Sequence, residues 1–273
     1  MIATADKATG NVREIRVTLP PPHGQAQRDI IETPDSIVLL GGGRFGKTEA
    51  EVRRIVRCMV NDPGLYWWIG LDRGSASYKK AWRMLYLLWA SALRSCGLDP
   101  RNWINRTAHE ISVPNGSRLM FRTAANPQSI AGDGPKGIVG DEFTYWNAEV
   151  YERFIMPATL DHKAWVHLIG RPYGENWGYD LWRKAAHMPG WRQLRYTVYD
   201  NPLLDPADIE AIRANTPDPV WQQEYMAEPG SGDNGVIPLA WVLAAVDRWK
   251  AGATDRSLPL VLACDVSEGG EQA

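Results

Sequence analysis

An α/β fold built on a mainly parallel sheet is what this sequence predicts, and three observations predict it. The stretch Ser36 to Ala50, SIVLLGGGRFGKTEA, passes from an apolar β-rich run through glycines into a helical pattern. Two other apolar runs, Leu65 to Leu71 (LYWWIGL) and Ala164 to Gly170 (AWVHLIG), show no alternation, which suits strands covered on both faces. A short apolar run, Gly137 to Gly140, ends in the acidic pair Asp141-Glu142.

The first stretch carries the chemistry. Gly41-x-x-x-x-Gly46-Lys47-Thr48, between a strand and a helix, has the spacing of a phosphate-binding P-loop. Gly41, Gly42, Gly43 and Gly46 let the backbone of the loop, Arg44 and Phe45 included, turn its N–H groups inward as an anion nest. The following helix adds the positive end of its dipole. Lys47 is then placed to hold the β- and γ-phosphates of ATP, and the Thr48 hydroxyl to ligate Mg²⁺.

A chain of 273 residues with 44% hydrophobic residues can bury a full core, and its formal net charge of −2 carries no global basic signature. Contact with nucleic acid would have to come from a local patch. Cys58, Cys96 and Cys264 lie far apart, which indicates neither a zinc site nor a disulfide framework. The N-terminal segment lacks a signal-peptide core, and no run approaches a membrane span, so a soluble protein in a reducing compartment is expected.

In chain order, residues up to Leu19 read as an arm or edge strand that Pro20-Pro21-Pro22 ends. A short helical pattern, Arg28 to Glu32, follows. Gln27 or Gln25, about twenty residues before Lys47, could read adenine, since one amide can donate to N7 and accept from the N6 amine. After the P-loop, apolar residues at Val52, Ile55, Val56, Met59 and Val60 mark a helix with its charges on the other side. Ser75 to Cys96 reads as a long helix capped by Gly97, with Trp82 and Trp89 as packing residues. His109 to Val113 and Ser117 to Arg122 alternate around Pro114-Asn115-Gly116, which predicts an antiparallel hairpin. Asn147 to Leu160 is helix-like, Trp177 to His187 a further helix, and Gln193 to Val198 another strand.

Asp141-Glu142, closing an apolar strand downstream of a P-loop, is the Walker B arrangement. Asp141 would hold Mg²⁺ mostly through water, and Glu142 would orient and deprotonate the attacking water. The polar turn Arg171 to Trp177, at the carboxyl end of the next strand, is where a γ-phosphate sensor is expected.

In this order the motifs resemble the large terminase subunit of tailed bacteriophages, the ATPase and nuclease that packages genomic DNA. The matches are the P-loop with an internal arginine, the Asp141-Glu142 strand end, and the Gly-Arg-Pro-x-Gly-x-Asn-Trp turn at 170–177. Tyr199-Asp200-Asn201-Pro202 and Trp221-Gln222-Gln223-Glu224-Tyr225, followed by Gly235-Val236-Ile237, are similar to the lid that precedes the family's nuclease. The resemblance implies a RecA/ASCE-like P-loop NTPase core over 1–185, a lid over 186–229 and a linker over 230–257. It also implies the first strand of a ribonuclease H-like nuclease over 258–273, with Asp265 as that site's first metal-binding aspartate. Lys47 and Thr48 would bind phosphate and Mg²⁺, Asp141 would be the magnesium carboxylate, Glu142 the base, and Arg44 the cis arginine on the γ-phosphate.

Two departures from the family pattern matter. Relatives often have Thr-Pro where this chain has Arg171-Pro172, so Asn176 or Arg171 would replace the sensing hydroxyl. Where relatives carry a trans-acting arginine this chain has Ala131-Gly132. Arg122, Lys136 or Arg73 would supply that charge, or Arg44 would act alone. The implied function is an ATP-driven motor in a homo-oligomeric ring, a pentamer by resemblance, moving double-stranded DNA with portal protein and small terminase subunit in the host cytoplasm. Nuclease activity is not expected of this chain, in which Asp265 is the one nuclease carboxylate. A nucleotide-gated DNA-binding module and a helicase-like translocase are the alternatives, though the latter would ordinarily carry a second RecA-like domain.

Overall fold

The computed structural model describes residues 2–5, 12–130, 134–230 and 244–248. The chain divides into two units, Met1–Gly230 and Ser231–Ala273. In the second, the described residues are an exposed helical stretch, 244–248. Ala131-Gly132, Gly235-Val236-Ile237, the expected nuclease strand and Asp265 lie outside the described residues.

In the first unit, β1 (Ile2–Ala5) and β2 (Val12–Ile15) form a separate antiparallel pair. The chain then runs through α1 (Gln25–Glu32), β3 (Ser36–Gly41), α2 (Lys47–Asn61), β4 (Leu65–Gly70) and α3 (Ala76–Ser95). Next come β5 (Ile104–Asn105), β6 (Glu110–Ser112), β7 (Arg118–Thr123), β8 (Gly137–Asp141), α4 (Met156–Ala158) and β9 (Trp165–Gly170). The unit closes with α5 (Trp177–Ala185), β10 (Trp191–Tyr196), α6 (Pro206–Ala214) and α7 (Asp218–Glu224).

Eight strands make one sheet in the order β10-β3-β9-β8-β4-β7-β6-β5. From β10 to β7 every pairing is parallel, and β6 and β5 extend the sheet antiparallel, as the hairpin signal predicts. Strand β4 explains why its sequence does not alternate. Tyr66 and Trp68 pack with α2 and α3 through Val56, Leu85 and Trp89, while Trp67 and Ile69 enter the opposite core with Val38, Ile138 and Phe143. Both faces are covered, so both sets of side chains are apolar.

Helix α3 starts where the Ser75 hydroxyl accepts from the Tyr78 N–H and ends where the Leu98 N–H reaches the Leu93 carbonyl. Trp89 is buried and Trp82 stacks on His109 at 4.4 Å, so both tryptophans pack.

Three sequence expectations differ from the structure. Asn147 to Leu160 is not one α-helix: Val150–Ile155 is π-helical and only Met156–Ala158 is α-helical. Pro157 has no N–H for the Arg153 carbonyl and would crowd it, so the preceding turn is widened. The charges of α2 are not all on a wet face, since Glu51, Arg53 and Arg54 are buried. Arg54 donates to the Ile31 and Thr33 carbonyls and lies 4.4 Å over the Trp165 ring, because α1 and the 20–33 segment cover that side. Finally, β10 falls in the stretch the sequence assigns to a lid, yet it pairs with β3 over its whole length. Residues 191–196 are therefore part of the sheet.

Candidate nucleotide-binding site

The carboxyl ends of β3, β9 and β8 lie side by side, and the loops leaving them build one cleft of about 930 Å³. At the end of β3 the chain turns through Gly46, whose φ of 99° is the left-handed region that a side chain would strain, and α2 starts at Lys47. Phe45 anchors the loop from below, buried and stacked on Tyr196 at 5.0 Å. Arg44 is exposed, with φ 64°, and the described residues give it no ion pair with a surface carboxylate.

Gln27 does not reach the cleft. Its side chain is 1% exposed and its Nε2 donates to the Gly46 carbonyl at 3.2 Å. Its Oε1 accepts from the His23 N–H at 2.8 Å and from Arg53 at 3.4 Å. The expected adenine reader is thus corrected to a brace for the P-loop, because its amide is already committed to protein groups. Gln25 is an exposed residue of the same helix and bonds Asp29 at 2.7 Å.

Lys47 and Thr48 line the cleft with Asp141 and Glu142. The Lys47 ammonium donates to the Gly41 carbonyl at 3.3 Å. Burial pulls its pKa below the usual lysine range, against the opposing attraction of Asp141. Burial likewise pushes the Asp141 carboxyl above the usual range, against the pull of Lys47. Asp141 is fully buried, and both its carboxylate oxygens lack a hydrogen-bond partner. An orphaned carboxylate beside a lysine and a threonine hydroxyl fits a hydrated divalent cation delivered with phosphate. Among the described residues no cluster of three His, Cys, Asp or Glu side chains offers a self-sufficient metal site, so the phosphates would have to complete the coordination.

Glu142 follows Asp141 in a left-handed conformation, φ 61° and ψ 34°, and its N–H bonds the Ile169 carbonyl at 2.8 Å. That turn swings its side chain out of the strand's alternation and into the cleft. The Thr144 hydroxyl then donates to the Arg171 carbonyl at 2.7 Å, joining the β8 and β9 ends. Asn176 is spent elsewhere: it caps α5 and donates to the Thr144 carbonyl at 2.6 Å. Of the two expected sensors, only Arg171 lines the cleft.

Leu204, Val220 and Tyr225, from the segment after β10, close one wall. Asn201 donates to the Arg44 carbonyl at 2.7 Å, and the Gly43 N–H donates to the Glu224 carbonyl at 2.5 Å. Among the expected trans cations, Arg122 pairs with Glu110 at 3.3 Å and Lys136 pairs with Asp62. Arg73 is exposed on the loop after β4, donates to the Thr107 carbonyl at 3.2 Å and has no ion pair among the described residues.

Two features escaped the sequence reading. Beneath the P-loop, His167 Nδ1 lies 2.9 Å from Glu51 Oε1 with both side chains fully buried. Each sits at an apolar position, Glu51 one turn before Ile55 and His167 mid-strand in AWVHLIG, and a charge in such a place signals a partner. The other is Glu224, which nothing local distinguishes from a solvated lid charge.

A parallel sheet carrying this loop at its carboxyl edge defines the P-loop nucleotide-binding class. The chain belongs, more narrowly, to the terminase large subunit family, T4likevirus-type, N-terminal, whose family model matches residues 94–244, more than half of the 273. That match begins downstream of the P-loop. The large terminase ATPase domain of Thermus phage P74-26 superposes with a TM-score of 0.65 at 18% identity, covering 76% of this chain and 94% of that one. The large terminase of the thermophilic bacteriophage D6E superposes in complex with ADP (TM-score 0.58, 18% identity) and with ATP-gamma-S (TM-score 0.55, 18% identity). Each covers 76% of this chain, which spans about half the length of the D6E protein, 53%. No curated protein sequence matches the chain. No helix among the described residues is long and apolar enough to cross a membrane.

Proposed function

We propose that this chain is the Mg²⁺-dependent ATPase of a genome-packaging motor, hydrolysing ATP to ADP and phosphate to move double-stranded DNA into a procapsid. The observation that carries the reading is the buried, unpartnered Asp141 carboxylate facing the cleft of Lys47 and Thr48, with Glu142 next in sequence. The loop N–H groups from Gly41 to Thr48 and the Lys47 ammonium bind the phosphates. Thr48 and Asp141 hold the Mg²⁺, which neutralises phosphate charge when bound. Glu142 orients the attacking water and takes its proton, while Arg44 and Arg171 bring positive charge to the γ-phosphate from the same chain.

The motor works as a homo-oligomeric ring, pentameric in this reading, docked on a portal protein and supplied by a small terminase subunit in the host cytoplasm. It grips DNA through the phosphates without reading sequence. Residues 197–229 act as the lid, and Asp265 belongs to a metal-dependent nuclease domain of the longer family protein. Arg73 completes the neighbouring subunit's site, being the expected trans cation that no carboxylate among the described residues holds.

Steady-state ATP hydrolysis measured against protein concentration, with and without duplex DNA, tests the reading. Turnover per subunit is expected to climb with concentration, and Arg73→Ala to flatten that climb, with a loss of about 10³-fold at saturation. Concentration-independent turnover that Arg73→Ala leaves intact would refute the ring-completed site.

A further inference from the structure

One residue of α7 holds two of the groups in the cleft that a triphosphate would need. The Gly43 N–H, a donor of the phosphate nest, is given to the Glu224 backbone carbonyl at 2.5 Å. The Arg171 guanidinium, the cation at the end of β9, is paired with the Glu224 carboxylate. Both contacts sit in the cleft that Lys47 lines. The surrounding backbone is shaped for this approach. A Cβ on Gly42 would stand 2.1 Å from the Tyr225 carbonyl oxygen, so only glycine at that position lets the end of α7 lie on the loop. The Gly174 N–H adds a bond to Gln223 Oε1 at 3.3 Å, clipping the same turn of α7 to the loop after β9.

We infer that Glu224 is a built-in phosphate surrogate: its carbonyl and carboxylate oxygens occupy the Gly43 and Arg171 positions that phosphate oxygens take on nucleotide loading, so that binding a triphosphate expels Glu224 and releases α7. This rests on the reading of the cleft as the ATP site. An ordinary lid ion pair would engage any nearby cation. Here the carboxylate holds the arginine at the end of β9, the strand beside the one that ends in Asp141-Glu142, and the backbone of the same residue caps the nest. An anion entering this corner meets Glu224 as a like charge, which costs affinity until the residue moves. Once it has moved, Arg171 exchanges one charge-assisted partner for another, and the end of β9 becomes coupled to α7. A diphosphate, lacking the group that meets Arg171, displaces Glu224 only in part.

The test is isothermal titration of ADP and ATP-gamma-S with Mg²⁺ into the full chain, together with hydrogen exchange of residues 218–224, for the wild type, Glu224→Gln and Arg171→Gln. Glu224→Gln is expected to bind ATP-gamma-S about fivefold more tightly, roughly 1 kcal/mol. Its α7 exchange without nucleotide should match that of the nucleotide-loaded wild type. Arg171→Gln should free α7 in the same way yet bind ATP-gamma-S more weakly, with ADP affinity little changed. Unchanged or weaker ATP-gamma-S binding by Glu224→Gln would overturn the surrogate, as would wild-type α7 exchange that does not rise on loading. If the wild type binds neither nucleotide, the cleft is not an ATP site and both readings fall together.

Discussion

Replacing Glu142 with Gln is expected to lower ATP turnover by about 10²- to 10⁴-fold while nucleotide affinity stays within roughly twofold. The amide keeps the size of the side chain and loses the proton acceptor, whereas Lys47, Thr48 and the loop N–H groups proposed to hold phosphate are untouched. Single-turnover hydrolysis beside equilibrium binding separates the two quantities. Glu142→Gly provides the contrast. Glu142 occupies the left-handed region with φ 61°, a conformation that costs a side-chain-bearing residue about 1–2 kcal/mol and glycine almost nothing. The glycine variant should therefore lose turnover to the same degree and unfold at a higher temperature. Strain kept at a residue whose removal stabilises the protein is what a catalytic position requires. Equal stabilities and retained turnover would place the base elsewhere.

Breaking the buried pair beneath the P-loop is the largest stability effect expected. His167 and Glu51 are both fully buried, with His167 Nε2 also 3.3 Å from the Asp35 carbonyl. Glu51→Ala or His167→Ala alone should cost about 3–5 kcal/mol in urea unfolding, since either leaves a polar group in a dry core without its partner. Glu51→Met combined with His167→Leu should recover most of that loss, because the desolvation of both groups disappears together.

The same pair sets a pH dependence. Burial holds the His167 imidazole below its ordinary value, more strongly than Glu51 raises it. As the pH falls, the unfolded chain therefore takes up the proton first, near the ordinary histidine value of about 6.5. The contribution is full above that pH and is lost as the pH drops toward the lower folded value. His109, lowered by burial and by Arg73, adds in the same sense. Asp141, raised by burial, is protonated first in the folded chain and acts in the opposite sense in the wild type and the double variant alike. It is therefore the urea midpoint of the wild type relative to that of the double variant that should fall between about pH 7 and pH 5.

The strands and the phosphate loop were legible locally. Ile37 to Leu40, LYWWIGL and AWVHLIG are apolar without alternation because each strand is covered on both faces, and the structure places all three inside the parallel sheet. The hairpin at Pro114-Asn115-Gly116 was equally clear, since turn chemistry is local. Less legible was anything set by a neighbour distant in sequence. Gln27 carries the residue type an adenine reader needs, but whether its amide faces the cleft or Gly46 depends on how α1 packs on α2. The π-helical turn before Pro157 has the apolar spacing of an α-helix and differs only in how the chain accommodates one missing N–H.

By itself, then, the sequence determined the order of strand, phosphate loop and helix, the acidic strand end, and the family motifs that follow them, because each rests on residue types within a few positions of one another. Tertiary structure alone decided that Asp141 is dry and unpartnered, that Arg171 rather than Asn176 enters the cleft, and that His167 answers Glu51. It also decided that Glu224 lies on the phosphate loop. Those are facts about which side chains meet across the sheet and the lid, and pairing between residues far apart in the chain is set by packing, which local pattern does not encode.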